Sequence, residues 1–283
     1  QTVAITAFDE GASVIVLEKN AADTEDSMNH LSNSRVCGGW YLATDDVEQA
    51  AEFVGILGGE MAAPEDMRLA WAQGLAENDA WIESLGGEVW DMPNPMVGGG
   101  EHPNLESGKH VMARSLALDG MKAPIEEFYQ FFMRNISERE IPVLWEHPGQ
   151  KLYTDCSGKV VGIMADNNGT EVNIKANKAV VLTCGGYENN QEMLKNWNPG
   201  PEWHFLGPPG HDGDGIKMAL SVGADLWHTK AASAGAAMFE EGMTAGCMPS
   251  VLSTGAAAYT LVDGEGKRFT NEAANYNALG GAF

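Results

Sequence analysis

Residues 2–19 constrain the fold most. Thr2–Glu10 (TVAITAFDE) puts Val3, Ala4, Ala7 and Phe8 on one helical face. Gly11 stops that helix, and Ser13–Leu17 (SVIVL) is an apolar, partly β-branched run ending at Glu18-Lys19. Helix, glycine, strand and acid in that order make the second half of a βαβ unit. In dinucleotide-binding folds the first half is a strand and a glycine-rich turn, and an acid about 20 residues further on hydrogen-bonds ribose hydroxyls. Glu18 stands where that acid belongs if the glycine turn precedes Gln1. Taken alone, it is equally a surface carboxylate after a strand. The helix opens with no cap or preceding turn, and the sequence stops at Gly280-Gly281-Ala282-Phe283 with no terminal element. The expectation is a chain cut at both ends.

The rest of the chain follows from local signals. Asp45-Asp46 caps a helix running to Leu57, and Pro64 suits the first turn of another reaching Leu85. Residues 91–110 are rich in Gly, Pro and Asn and read as a long loop. Pro124 opens a helix to Arg139 with Phe128, Phe131 and Phe132 on one face. Val143–Glu146, Lys151–Thr154, Val160–Ala165 and Val172–Ile174 are β-type runs, with turns at Ser157-Gly158 and Asn167-Asn168-Gly169. They predict an antiparallel meander. Ala179–Thr183 (AVVLT) is continuously apolar, as in a strand buried on both faces, and ends at Cys184-Gly185-Gly186. A short helix is expected over 213–222, and Thr260–Phe269 reads as a hairpin around Gly264-Glu265-Gly266.

Composition narrows the partners. The 283 residues carry 34 glycines, a count that favours tight turns and close backbone–ligand contacts. Seventeen basic against 40 acidic residues give a net charge of -23, which repels phosphate backbones and anionic membranes and so excludes nucleic-acid binding. No apolar run approaches the roughly 18 residues of a membrane span. Cys37, Cys156, Cys184 and Cys247 show neither CxxC nor metal-ligand spacing and read as separate reduced thiols, with no metal site expected. The compartment is not fixed by the sequence; the cytoplasm is slightly favoured.

Four stretches carry the chemistry. Asn33 and Ser34 are small polar donors, and Gly38-Gly39 lets backbone approach a flat ring or phosphates; the same residues also fit a polar loop at a helix start. Cys184-Gly185-Gly186 closes the apolar run, at the strand end where open α/β sheets bind ligands. Asp214, in Gly213-Asp214-Gly215, is at a helix N-terminus, where a carboxylate is favourable with or without a ligand. In order, Gly11–Lys19 (GASVIVLEK), Asn33–Gly39 (NSRVCGG), Lys178–Asn190 (KAVVLTCGGYENN), and Gly207–His228 (GPPGHDGDGIKMALSVGADLWH) with Gly266–Glu272 (GKRFTNE) resemble one flavoprotein family. That family contains fumarate reductases, 3-ketosteroid Δ1-dehydrogenases and related ene reductases that use FAD. The resemblance implies an α/β fold: a Rossmann-like FAD-binding domain over residues 1–226, with a parallel sheet and an antiparallel β-meander, then the start of an α+β substrate-capping domain over 227–283. It also implies FAD contacts from Glu18, Lys19, Asn33, Ser34, Gly38, Gly39, Cys184, Gly185 and Asp214, with Gly149 at the adenine. Cys184 reads as a small buried hydrophobe rather than a redox thiol. Ser32 stands where succinate dehydrogenases attach the flavin through histidine, so the FAD is expected to be non-covalent.

Departures from the family bear on the substrate. Fumarate reductases carry an arginine four residues after the Asn-Glu pair; here Asn271-Glu272 is followed at that offset by Tyr276. The stretch after Trp227-His228 lacks the family's dicarboxylate-binding histidine, and dianion recognition needs such cationic groups. A tyrosine there resembles the 3-ketosteroid dehydrogenases, in which it is the acid/base. Read without the resemblance, Tyr276 also fits an aromatic packed under the cap. The expected reaction is hydride transfer between flavin N5 and an activated C–C bond beside a carbonyl of a small, ketosteroid-like substrate. The alternatives are a fumarate reductase-type subunit acting on an unsaturated carboxylate, and a truncated non-catalytic fragment. An electron-donor or acceptor protein is a further expected partner.

Overall fold

The computed structural model describes residues 1–22, 32–36, 38–92, 98–102, 104–198, 210–229 and 260–272. Tyr276, Cys37 and Cys247 lie outside them. The helices are α1 (Thr2–Asp9), α2 (Asn33–Val36), α3 (Val47–Gly58), α4 (Glu65–Ser84), α5 (Ile125–Glu138), α6 (Gln191–Trp197) and α7 (Asp214–Ser221). The strands are β1 (Val16–Leu17), β2 (Trp40–Thr44), β3 (Glu88–Asp91), β4 (Val111–Leu118), β5 (Met121–Lys122), β6 (Val143–Leu144), β7 (Gly149–Thr154), β8 (Val160–Asn167) and β9 (Thr170–Lys175). The expected α/β class holds. Contacts divide the chain into two compact units, one chiefly of residues 1–34 and 136–233, the other chiefly of 35–135.

In the first unit α1 ends at Gly11, whose φ of +81° few side chains tolerate. β1 pairs in parallel with β6, Val16 opposite Val143 and Leu17 opposite Leu144. This corrects the reading of Val143–Glu146 as part of the meander. Glu146 turns out of the strand at φ +57°, and His147-Pro148 separates β6 from β7. The meander itself is β7-β8-β9, antiparallel throughout. Leu152, Ile163 and Met218 form its core against α7.

Ala179–Thr183 departs from the sequence reading. It joins no ladder among the described residues, and Val181 is 57% exposed. Val180 and Leu182 still pack on the core beside Met218, so the run keeps a period of two with one face inward. Burial on both faces requires a layer on each side, and the described residues supply one.

In the second unit the sheet order is β2-β4-β3, with β5 paired to β4. Asp119 and Gly120 make the β4–β5 turn at φ +52° and +74°, the left-handed pair that tight hairpins use. Asp46 caps α3, its carboxylate accepting from the Gln49 N–H at 3.0 Å. α3 and α4 close on small residues, with Ala50, Ala51, Phe53, Ala72, Leu75 and Val111 as the core. On α5, Phe131 and Phe132 are buried, and Phe132 stacks on Trp81 at 5.8 Å. The stretch expected as loop over 91–110 contains 3₁₀ turns at Gly98–Glu101 and Ser107–His110.

Candidate functional site

Glu18 leaves β1 with its backbone fixed: its N–H donates to Leu144 O and its carbonyl accepts from His147 N, both at 2.9 Å. Its Oε1 accepts from the backbone and side-chain nitrogens of Asn20, each at 2.9 Å. Asn20 therefore sets the direction of this carboxylate. Lys19 donates from Nζ to Asp214 at 3.0 Å and to Asp212 at 3.3 Å. Burial works to lower the ammonium pKa, but the pairing with Asp214 and Asp212 outweighs it and the net shift is upward. Burial likewise works to raise the Asp212 carboxyl; its contacts with Asp214 and Lys19 win, and it falls below the ordinary value. Asp214 opens α7 after Gly213, whose φ is +83°, and Lys217 lies 3.7 Å away.

Cys184-Gly185 faces the same helix. Gly185 has φ +75°, and a Cβ there would fall 2.8 Å from the His211 ring. A Cβ on Gly215 would meet the Cys184 sulfur at 3.2 Å. Cys184 was expected to be buried; it is exposed as a residue, since the described residues cover its segment on the inner side alone. Its thiol is still pushed up, first by the partial burial of the side chain and then by the charge of Asp214. His211 is buried, and its Nδ1 lies 3.7 Å from Glu188 Oε2; neither atom has a hydrogen-bond partner among the described residues. A hollow of about 290 Å³ opens here, lined by Leu182, Cys184, Gly185, Gly215, Ile216 and Leu220 among others. Gly149 begins β7, where a Cβ would lie 2.9 Å from Ile163 Cδ1 and 3.6 Å from Met218 Cε. A side chain there would need the end of Ile163 to give way.

The second unit holds another glycine turn. Gly38 and Gly39 have φ of +78° and +70°. The buried Ser115 hydroxyl donates to the Gly39 carbonyl at 2.6 Å, and Lys122 Nζ donates to the Gly38 carbonyl at 3.1 Å. Trp40 Nε1, next in the chain, is a buried donor without a hydrogen-bond partner among the described residues. Asn33 and Ser34 are exposed on α2.

The structure thus brings Glu18, Lys19, Cys184, Gly185 and Asp214 around the β1 end and the start of α7. Gly149 packs against Met218 of the same helix. Sequence reasoning missed Asn20, Asp212, His211, Ser115 and Lys122. Asn20 and Asp212 had local signals, an amide two residues past Glu18 and an extra acid beside the Gly-Asp-Gly motif. Ser115 and Lys122 had none, since they reach the glycine turn from 76 and 84 residues away. Gly38 and Gly39 carry no Cβ at positive φ, and the neighbouring Trp40 Nε1 has no partner among the described residues, features that fit a flat, phosphate-bearing ligand such as FAD.

Comparison with known proteins agrees. The family described as FAD binding domain matches residues 2–283. Digoxin reductase of Eggerthella lenta is 27% identical over 311 aligned positions, spanning 96% of this chain and 52% of that protein. Urocanate reductase of the same organism is 28% identical over 230, spanning 79% of this chain and 36% of that protein. The chain therefore spans about half or less of the length of these relatives. Among solved structures, a 3-ketosteroid Δ1-dehydrogenase from Sterolibacterium denitrificans superposes with TM-score 0.81 at 19% identity, covering 99% of this chain and 62% of that one, which shows the fold. With the match running from residue 2 to the last residue, this chain belongs to the FAD binding domain family shared by fumarate reductases and 3-ketosteroid dehydrogenases.

Proposed function

We propose that the protein is an oxidoreductase that moves a hydride between FAD and an activated C–C double bond next to a carbonyl. FAD, when bound, supplies the hydride chemistry; the chain supplies binding, orientation and charge. The observation that carries this reading is the family match over residues 2–283, together with two relatives named as reductases. In it, Glu18 is oriented by Asn20 to accept from ribose hydroxyls. Gly38, Gly39 and Gly185 supply close backbone approach, and Asn33 and Ser34 supply polar contacts. Gly149 stands at the adenine. Asp214 and Lys19 order the start of α7, and Cys184 contributes shape rather than redox chemistry. The flavin is held non-covalently. Residues 1–226 form the flavin domain and 227–283 begin a substrate cap. Tyr276, outside the described residues, is the proposed acid/base, on its resemblance to the ketosteroid dehydrogenases. The substrate is a small enone of ketosteroid type, and an electron-transfer protein is the proposed redox partner.

The purified chain is expected to show a flavin absorption spectrum. After anaerobic reduction, an enone of the 3-ketosteroid class is expected to restore the oxidised spectrum, and fumarate is not. Restoration by fumarate would favour an unsaturated carboxylate as substrate and remove the role given to Tyr276. Flavin released free on acid precipitation supports non-covalent binding; flavin retained on the protein overturns it.

A further inference from the structure

We infer that Ser115 and Lys122 are positioning residues for the cofactor: from β4 and β5 they hold the oxygens of Gly39 and Gly38 and so fix the glycine turn's N–H groups toward the flavin. The inference rests on the reading that this turn contacts FAD. Ser115 is 1% exposed and its hydroxyl reaches Gly39 O at 2.6 Å; Lys122 is half-buried and reaches Gly38 O at 3.1 Å and Ala123 O at 3.4 Å. A trans peptide is planar, with its oxygen and the following N–H on opposite sides. Fixing the Gly38 oxygen on the β4–β5 side therefore turns the Gly39 N–H away from it. Fixing the Gly39 oxygen does the same for the Trp40 N–H.

Two glycines at φ +78° and +70° have no Cβ to hold them, and glycine has the widest conformational freedom of any residue. Without external anchors, such a turn samples several peptide orientations and pays that entropy whenever a ligand binds. The two anchors are unequal in kind. The Ser115 hydroxyl is a neutral donor in a dry site, and its loss leaves a buried carbonyl unsatisfied. The Lys122 ammonium gives a charge-assisted bond and also sets a positive charge behind the turn. Among the described residues β2 is an edge strand of its sheet, with β4 on one side, so N–H groups turned off β4 face the side where they place no strand of that sheet. Both anchors come from the β4–β5 hairpin, which Asp119-Gly120 closes. A tight hairpin thus carries the serine and the lysine in fixed register to the turn.

The test uses the full chain with Ser115→Ala, Lys122→Met and Lys122→Arg. Its first readout is the ¹⁵N–¹H heteronuclear NOE of the Gly39 and Trp40 amides without flavin. Both values are expected to fall in Ser115→Ala and in Lys122→Met, and to be kept in Lys122→Arg. The second is FAD affinity by fluorescence titration, expected to weaken about tenfold in each disruptive variant and by under about threefold in Lys122→Arg, the scale of one lost hydrogen bond. Unchanged NOE values in both disruptive variants would overturn the inference. So would loosened amides with unchanged FAD affinity, or equal loss in the arginine and methionine variants. If the wild-type chain binds no FAD, the flavin reading fails, while the amide measurement still decides whether the anchors hold the turn.

Discussion

Gly185 joins two constraints at one atom. Its φ of +75° is left-handed, and the His211 ring occupies the place of its missing Cβ. A left-handed backbone costs a side-chain-bearing residue about 1–2 kcal/mol, and the ring contact adds to that. Gly185→Ala is therefore expected to lower stability in urea unfolding by about 2 kcal/mol or more. Adding His211→Ala should return the steric part and leave the conformational part; no recovery at all would show that the ring contact contributes nothing. Glu272 gives the clearest pH dependence. Its hydrogen bond with Arg268, reinforced by the Leu261 N–H, lowers its pKa from 4.5 to about 2. A depressed carboxyl stabilises the fold fully above its unfolded pKa and loses that contribution as pH falls through the folded one. The stability difference between wild type and Glu272→Gln should thus be constant above about pH 6, shrink below about pH 4.5 and vanish near pH 2. A difference unchanged across that window would mean the ion pair is not made in solution.

Among elements, those with local punctuation behave as their residues dictate. α3 depends on its cap: Asp46 satisfies an N–H that helix geometry leaves orphaned. Asp46→Ala is expected to cost about 1 kcal/mol and Asp46→Asn a few tenths, read as shifts in the urea midpoint; equal losses would mean that charge, not the cap bond, is at work. The same punctuation made α1, α3, α4, α5 and α7 legible from Gly11, Asp46, Pro64, Pro124 and Gly213, each to within a residue or two of its observed end. The β2–β5 sheet was not legible. β4 (VMARSLAL) buries Val111, Ala113, Ser115 and Leu116, mixing small and polar side chains, so no clean alternation shows. Its Asp119-Gly120 turn is a hairpin signal, but it does not tell which strands lie beside the hairpin. β6 and the 179–183 run failed for another reason: which strand pairs with which is a non-local fact. The candidate site divides the same way. Glu18, Gly185 and Asp214 sit in sequence motifs, whereas the anchors of Gly38 and Gly39 arrive from a distant hairpin.

At the scale of the whole molecule, charge is the unspent variable. Forty acidic against 17 basic residues leave -23, and such a chain repels itself when compact. Local pairs such as Lys19 with Asp212 and Asp214, or Arg114 with Asp79 and Asp91, oppose this over a few ångströms. Salt weakens both, but exposed pairs are each worth under about 1 kcal/mol, while the unpaired excess acts over the full surface. With a screening length near 10 Å at 0.1 M, the melting temperature is expected to rise between about 0.02 and 0.2 M sodium chloride; a fall would mean the local pairs dominate. The same field acts on an incoming dinucleotide, whose diphosphate is anionic. Two influences then compete at the proposed flavin turn: the net charge repels FAD at long range, whereas the Lys122 ammonium behind Gly38 attracts at short range. Lys19 adds little attraction, since two carboxylates already engage it. Screening removes the long-range part first. The FAD association rate, followed by stopped-flow flavin fluorescence, is therefore expected to increase with salt until the screening length has shrunk to about 10 Å, near 0.1 M, and then level. A rate that falls from the lowest salt onward would show that local positive charge steers the cofactor despite the acidity of the whole.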